Sequence, residues 1–189
     1  MKILKSYLKG IHDVNDTVLD NYISLWKEYN VSKKQIMKVP GQIEKHFYFV
    51  NSGTQKSYYL YKEKKHIIAF AYSSSFSGIP ESFLTQTPSR YYLETISKSS
   101  FLRISYENHQ KFMAEHREIE TLYRKITETF LNGVIQRQHE IMALTMEDRF
   151  KVFVDRSAHL LQTIPQKDIA SYLNIDPTNF SKLINRIRI

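Results

Sequence analysis

Near the C-terminus, a short run of side chains has the chemistry to read a nucleic acid. Asn179 and Lys182 can hydrogen-bond base edges or phosphates, and Thr178 and Ser181 suit either target. Pro177 stands immediately ahead of them, and Lys167, Arg186 and Arg188 have the reach of phosphate clamps. Such groups act together only if local structure fixes them on one surface.

The flanking sequence predicts that surface. Ile169, Ala170 and Leu173 make an apolar i, i+1, i+4 face on one short helix, and Phe180, Leu183 and Ile187 make the matching stripe on a second. Ile175 fills the corner between them, and Ala170 is small where the helices cross. Asn174 falls where the turn needs φ > 0, which Asn tolerates better than most residues. Asp176 is a good N-cap and Pro177 a good first helical residue, so the second helix starts there. Thr163 with Gln166 resembles a capping box for the first. The whole reads as a helix-turn-helix with its second helix available to the DNA major groove. The same geometry can also serve protein contacts, which leaves a non-DNA-binding interaction module as an alternative.

Other chemistries find little support. The chain has no cysteine, so disulfides, thiol catalysis and Cys-ligated metals are excluded. Its seven histidines stand at 12, 46, 66, 109, 116, 139 and 159 without a His-x-His. His139-Glu140 begins a zinc-protease pattern, but Ala143 stands where the second His is needed. The five glycines form no phosphate-cradling loop and no Gly-x-Ser-x-Gly elbow. An enzyme is not expected, nor a metal. Lys and Arg outnumber Asp and Glu by 27 to 19, a formal charge of +8 that favours a polyanionic partner without proving one. No apolar run approaches the ~20 residues of a membrane helix, and the N-terminus has no signal-peptide core. A soluble, cytoplasmic protein with no membrane contact is expected.

The remaining elements divide by periodicity. Residues 1–25 show apolar positions at helical spacing, with Asp16 a candidate cap for a second segment. Short β-rich runs follow at 35–37, 46–50, 56–61, 66–72, 91–96 and 101–104, punctuated by turn signals such as Pro40-Gly41 and Asn51-Ser52-Gly53. They predict an antiparallel sandwich or barrel. A short helix is expected at 105–114 and a long one at 115–143. The long helix carries a stripe of Ile119, Leu122, Tyr123, Ile126, Phe130, Val134 and Ile141, wider than one small sheet would cover. Dimerisation along that stripe is one reading, with Gly133 permitting close approach; packing on the chain's own sheet is the other. A further helix from Thr145 to about residue 161 leads into the helix-turn-helix. The expected units are 1–114, 115–143 and 144–189.

This order of elements resembles the Crp/Fnr family of bacterial transcription regulators over nearly the whole chain. Residues 50–58 (VNSGTQKSY) resemble the family's strand–Ser-Gly turn–strand signal, with Lys56 where a basic residue is usual. Asp148-Arg149-Phe150 resembles the lead-in to its DNA-binding domain. Residues 164–173 followed by Ser181-Lys182 resemble its helix-turn-helix in a Bacteroidetes-type form. The resemblance implies an α+β fold: an antiparallel β-roll (double-stranded β-helix, or jelly roll) sensor domain, a long dimerisation helix and a C-terminal helix-turn-helix. It implies a homodimer binding double-stranded DNA, with a small-molecule effector and RNA polymerase as further partners.

Two departures qualify the resemblance. Lys182 stands where the family usually has arginine, and lysine lacks the bidentate fork for guanine. Cyclic nucleotide binders of the family carry adjacent Gly-Glu for the ribose 2′-hydroxyl, then Arg followed by Ser or Thr for the cyclic phosphate. Here Gly78 and Glu81 are separated, and Arg90 precedes Tyr91, with Ser89 before it. The resemblance therefore implies a Crp/Fnr-type regulator whose β-roll does not bind cAMP in the usual way. A genuine cyclic nucleotide receptor using Gly78, Glu81, Ser89 and Arg90 stays an alternative, and no cofactor is expected with certainty.

Overall fold

The computed structural model describes residues 1–186; Ile187, Arg188 and Ile189 lie outside the described residues. Two N-terminal helices, α1 (Lys2–Ile11) and α2 (Asp16–Ser24), precede eight strands. These are β1 (Lys27–Val31), β2 (Ile36–Lys38), β3 (His46–Ser52), β4 (Gln55–Tyr61), β5 (Lys64–Ala71), β6 (Phe76–Ser77), β7 (Tyr92–Thr95) and β8 (Ser99–Ser105), with α3 (Pro80–Thr85) between β6 and β7. Helices α4 (Tyr106–Glu115), α5 (Arg117–Ala143) and α6 (Met146–Ser157) follow, then a 3₁₀ turn over Ala158–Gln162, α7 (Gln166–Tyr172) and α8 (Pro177–Arg186). Among the described residues no helix is long and apolar enough to cross a membrane.

The strands form two four-stranded antiparallel sheets, ordered β1-β8-β3-β6 and β2-β7-β4-β5. Together they make the antiparallel β-roll, and the fold is α+β as the sequence implies. The alternation along β3 explains the layering. Tyr48 and Val50 join Val31 and Phe101 between the sheets, whereas Phe47 and Phe49 turn outward. There they pack with Trp26, Leu102 and Ile104 under a roof of helices supplying Leu4, Leu8, Leu19, Ile119 and Leu122. Covered on both faces, this strand reads as an uninterrupted apolar run.

The β3–β4 turn is the one the Ser52-Gly53 signal predicts. Gly53 has φ +92, and a Cβ there would lie 2.5 Å from the carbonyl of Lys98, so no side chain fits. Three elements escape the sequence pattern: β1, β6 and α3. Strand β1 pairs with β8 but turns only Tyr29 and Val31 inward, and β6 has two residues, so both signals are too short to stand out. Two expected caps differ. Asn15, not Asp16, caps α2, its Oδ1 accepting from the amides of Thr17 and Val18. The Thr163–Gln166 box does not form: α7 starts after Pro165 without a side-chain cap, and the Thr163 hydroxyl faces the Leu160 carbonyl. Proline at that position already fixes the chain's approach to the helix.

The apolar stripe of α5 divides into a buried first half and an exposed second half. Ile119, Leu122 and Ile126 belong to the core under the roll. Phe130 and Val134 are exposed, and so are their neighbours Leu131, Ile135 and Met142.

His109 of α4 is fully buried among Tyr22, Phe47, Phe83 and Tyr123, its Nδ1 2.9 Å from the Tyr22 hydroxyl. Burial pushes its pKa down to about 4, below the 6.5 of the free side chain. The unfolded chain therefore takes up this proton first. The stability conferred by neutral His109 is complete above pH 6.5 and is lost as pH falls toward 4, a contribution of about 3 kcal/mol. Urea unfolding at pH 7 and pH 4.5 is expected to show that loss, and His109→Gln, which cannot titrate, to show a shallower one. Equal pH slopes in the two proteins would rule out this assignment.

Candidate nucleic-acid interface

The C-terminal helices close around one apolar cluster. Phe150 and Phe153 of α6, Leu160 and Ile164 of the connection, Ile169 and Ala170 of α7, and Phe180 and Leu183 of α8 are all buried. Phe150 meets Phe180 edge to face at 5.5 Å. The turn has the conformation the sequence calls for. Asn174 is left-handed at φ 53, its amide donates to the Ser171 carbonyl at 3.1 Å, and that of Ile175 donates to Ala170 at 2.9 Å. This pair of hydrogen bonds is a Schellman motif, which satisfies carbonyls in the last turn of α7. Asp176 then caps α8, its Oδ1 accepting from the amides of Thr178 at 2.9 Å and Asn179 at 3.3 Å.

With the core face of α8 committed to Phe180 and Leu183, the opposite face is solvent. Pro177, Thr178, Asn179, Ser181 and Lys182 are all exposed on it, and Lys167 is exposed at the start of α7. Arg186 is exposed but forms an ion pair with Glu147 of α6. Arg188, the remaining basic residue expected in this set, lies outside the described residues. A surface of hydroxyls, an amide and lysines at the first turns of a helix can donate to phosphate oxygens and to base acceptors.

Contacts with no signal in the sequence fix this unit to α5. Arg149 of α6 donates through Nη1 to the Ile141 and Leu144 carbonyls at the end of α5, at 3.1 and 3.2 Å. Its Nη2 donates to the carbonyl of Asn174 in the turn at 3.3 Å. Glu140 of α5, 5% exposed, receives both terminal nitrogens of Arg156, at 2.9 and 3.2 Å. Arg149 was legible as part of a family-like triplet, but no pattern of spacing reveals which carbonyls it serves.

The residues expected to meet a phosphorylated ligand lie around α3 and ahead of β7. Gly78 has φ +133 ahead of α3, and Glu81 is exposed on the first turn of α3. Ser89 is buried, its hydroxyl accepting from the Tyr91 amide at 2.9 Å while its own amide donates to Gln42. Arg90 is exposed, and among the described residues it forms no ion pair. Between the sheets, Tyr29, Tyr48 and Phe101 meet ring to ring at 5.6–6.2 Å, and the Arg103 guanidinium lies 4.0 Å over Tyr29. Beside them Glu44 is fully buried, with Lys38 Nζ 3.6 Å from its Oε1. Burial raises its pKa above the ordinary carboxylate value, against the pull of the Lys38 charge.

No family model matches the chain, and no curated protein matches it at a significant level. Solved structures match well. FixK2 from Bradyrhizobium japonicum aligns with a TM-score of 0.74 and 18% identity, covering 85% of this chain and 83% of that one. A protein from Eubacterium rectale assigned to the Crp/Fnr family of transcriptional regulators aligns with a TM-score of 0.70 and 15% identity, covering 92% and 83%. CLP from Xanthomonas campestris, a global regulator responsive to c-di-GMP, aligns with a TM-score of 0.66 and 14% identity, covering 91% of each chain. In structure, then, the chain matches Crp/Fnr regulators over most of its length. The organisms concerned lend no support to a Bacteroidetes-type form.

The Asp176 cap generates a simple expectation. Asp176→Ala removes the acceptor for two amides and is expected to cost about 1 kcal/mol, read as a lowered midpoint in urea. Asp176→Asn, which keeps an acceptor oxygen, is expected to recover most of it.

Proposed function

We propose that the chain is a homodimeric, sequence-specific DNA-binding transcription regulator of the Crp/Fnr type. The observation that carries this reading is the free N-terminal face of α8. Its opposite face is sealed into a complete helix-turn-helix core, while Thr178, Asn179, Ser181 and Lys182 remain open to a partner. The formal charge of +8 suits a polyanion, and the fold shared with FixK2 and the Eubacterium rectale protein is that of transcription regulators.

Dimerisation rests on the second half of α5, where Phe130, Leu131, Val134, Ile135 and Met142 are each about half exposed or more. A contiguous apolar face of this kind on a helix fits a second copy of itself. Two copies would present two α8 helices to half-sites ~34 Å apart.

The β-roll is proposed not to take a cyclic nucleotide in the usual way. Ser89 spends its hydroxyl on Tyr91, Arg90 faces outward, and aromatic rings fill the space between the sheets.

Operator selection from a random duplex pool tests the main reading. Asn179→Ala with Lys182→Ala is expected to weaken the selected site by on the order of 1–3 kcal/mol, roughly ten- to a hundredfold. The salt slope is expected to fall by about one with the lysine. Unchanged affinity in the folded double variant would refute the assigned surface. Sedimentation of the wild type is expected to give a dimer, and Val134→Arg a folded monomer; a monomeric wild type at high concentration would refute the α5 seam.

A further inference from the structure

Helix α7 has a second face that the helix-turn-helix core does not use. Asp168 and Ser171 on that face lie against the outer side of the second sheet, and Tyr172 bridges the sheet and the core. Asp168 Oδ2 is 2.7 Å from Lys56 Nζ, with side-chain exposures of only 5% and 8%. The Lys56 ammonium also lies 3.7 Å from Glu94 Oε1, and Lys65 is 3.1 Å from the other oxygen of Glu94. Burial alone would raise the Glu94 pKa; the Lys65 hydrogen bond and the two lysine charges outweigh it and hold the carboxyl below its ordinary value.

Beside this pair, α7 covers an open strand edge. Strand β5 is the outermost of its sheet, so one side of its backbone has no strand partner. Ser171 Oγ accepts from the Ile67 amide at 3.1 Å and donates to the Lys65 carbonyl at 3.0 Å. Arg137 reaches the same place from α5. It stacks over Tyr172 at 4.2 Å and donates through Nη2 to the Tyr172 carbonyl at 2.6 Å and to Ile67 at 3.4 Å. One guanidinium thus touches the long helix, the helix-turn-helix and the β-roll together. Phe70 against Tyr172 at 5.2 Å and Tyr72 against His159 at 4.8 Å extend the contact with apolar surface.

We propose that this contact is a fixed seat for the DNA-binding unit, with Lys56, Asp168, Ser171 and Arg137 as positioning residues that set the orientation of α8 from the β-roll. The proposal rests on the DNA-binding reading of α8, although the seat itself does not depend on DNA. Seat and reading face do not compete. Asp168 and Ser171 face the sheet, whereas Thr178, Asn179, Ser181 and Lys182 face solvent. A buried ion pair is well suited to the task, because it tolerates neither loss of a partner nor a shift in register. A unit held in one orientation meets DNA without first losing a range of others, so operator affinity carries the seated fraction as a direct factor.

The test uses the full chain and two variants, Asp168→Asn and Arg137→Ala. Arg137 is outside all three apolar cores, so its truncation is expected to leave folding intact even where Asp168→Asn does not. Hydrogen exchange at the Ile67 amide is expected to quicken about tenfold in each variant, with β3 and β8 unchanged. If the seated fraction falls to about a tenth, Kd for the selected operator rises about tenfold. Binding to a mixed-sequence duplex at low salt, which depends on charge rather than orientation, is expected to stay within twofold of the wild type for Asp168→Asn, read at about 50 mM salt. Unchanged exchange at Ile67 would overturn the seat. Quickened exchange with unchanged or tighter operator binding would overturn its positioning role. Failure of the wild type to select any operator would instead refute the DNA-binding reading, and the exchange comparison would still decide the seat.

Discussion

The packing of α7 is the constraint on which the rest of the arrangement turns, because one seven-residue helix is buried on two sides by different bodies. Its apolar side completes the helix-turn-helix, and its polar side meets a sheet. Burying a polar face is costly unless every charge and backbone group finds a partner. That requirement accounts for the density of directed contacts around it: Lys56 for Asp168, the β5 edge for Ser171, Arg137 for the Tyr172 carbonyl. Apolar surfaces alone would hold the two bodies together in many relative orientations. The polar groups select one.

The same division separates what the sequence discloses from what it conceals. Periodic apolar residues announce helices, and the helix-turn-helix could be read almost residue by residue, from Ala170 at the crossing to the left-handed Asn174 and the Asp176 cap. The β-roll was legible as short strands of nearly the right bounds. Strand β1 was not, because Tyr29 and Val31 are only two inward residues among polar ones, and Asp16 does not cap α2 because Asn15 offers the same chemistry one residue earlier. Pairings distant along the chain had no local signature at all. Lys56 could be placed at a position where a basic residue is usual, but its partner lies 112 residues on. The surface proposed to read DNA was therefore legible, and the contacts that orient it were not.

Between the sheets, aromatic side chains pack ring against ring. Tyr29, Tyr48 and Phe101 occupy the interior, and the charges of Lys38, Glu44 and Arg103 close one end of it. Aromatic rings bring large contact areas with few rotatable bonds, so ordering them costs little conformational entropy for the surface they bury. The roll carries helices on one outer face and the helix-turn-helix unit on the other.

Between these two attachments α5 runs without support from its own chain. Residues 128–136 are exposed throughout, while Ile126 before them is held by the roll and Arg137 after them by the junction with α7 and β5. The segment is a strut clamped at both ends, and its backbone hydrogen bonds are screened from water by nothing but its own side chains. Isolated helices of this length are marginal in water. The order of this strut thus depends on its clamps and on whatever comes to lie along Phe130, Leu131 and Val134. A second chain laid there would steady the rod that joins the β-roll to the helix-turn-helix, so that association and mechanical stiffness become the same event.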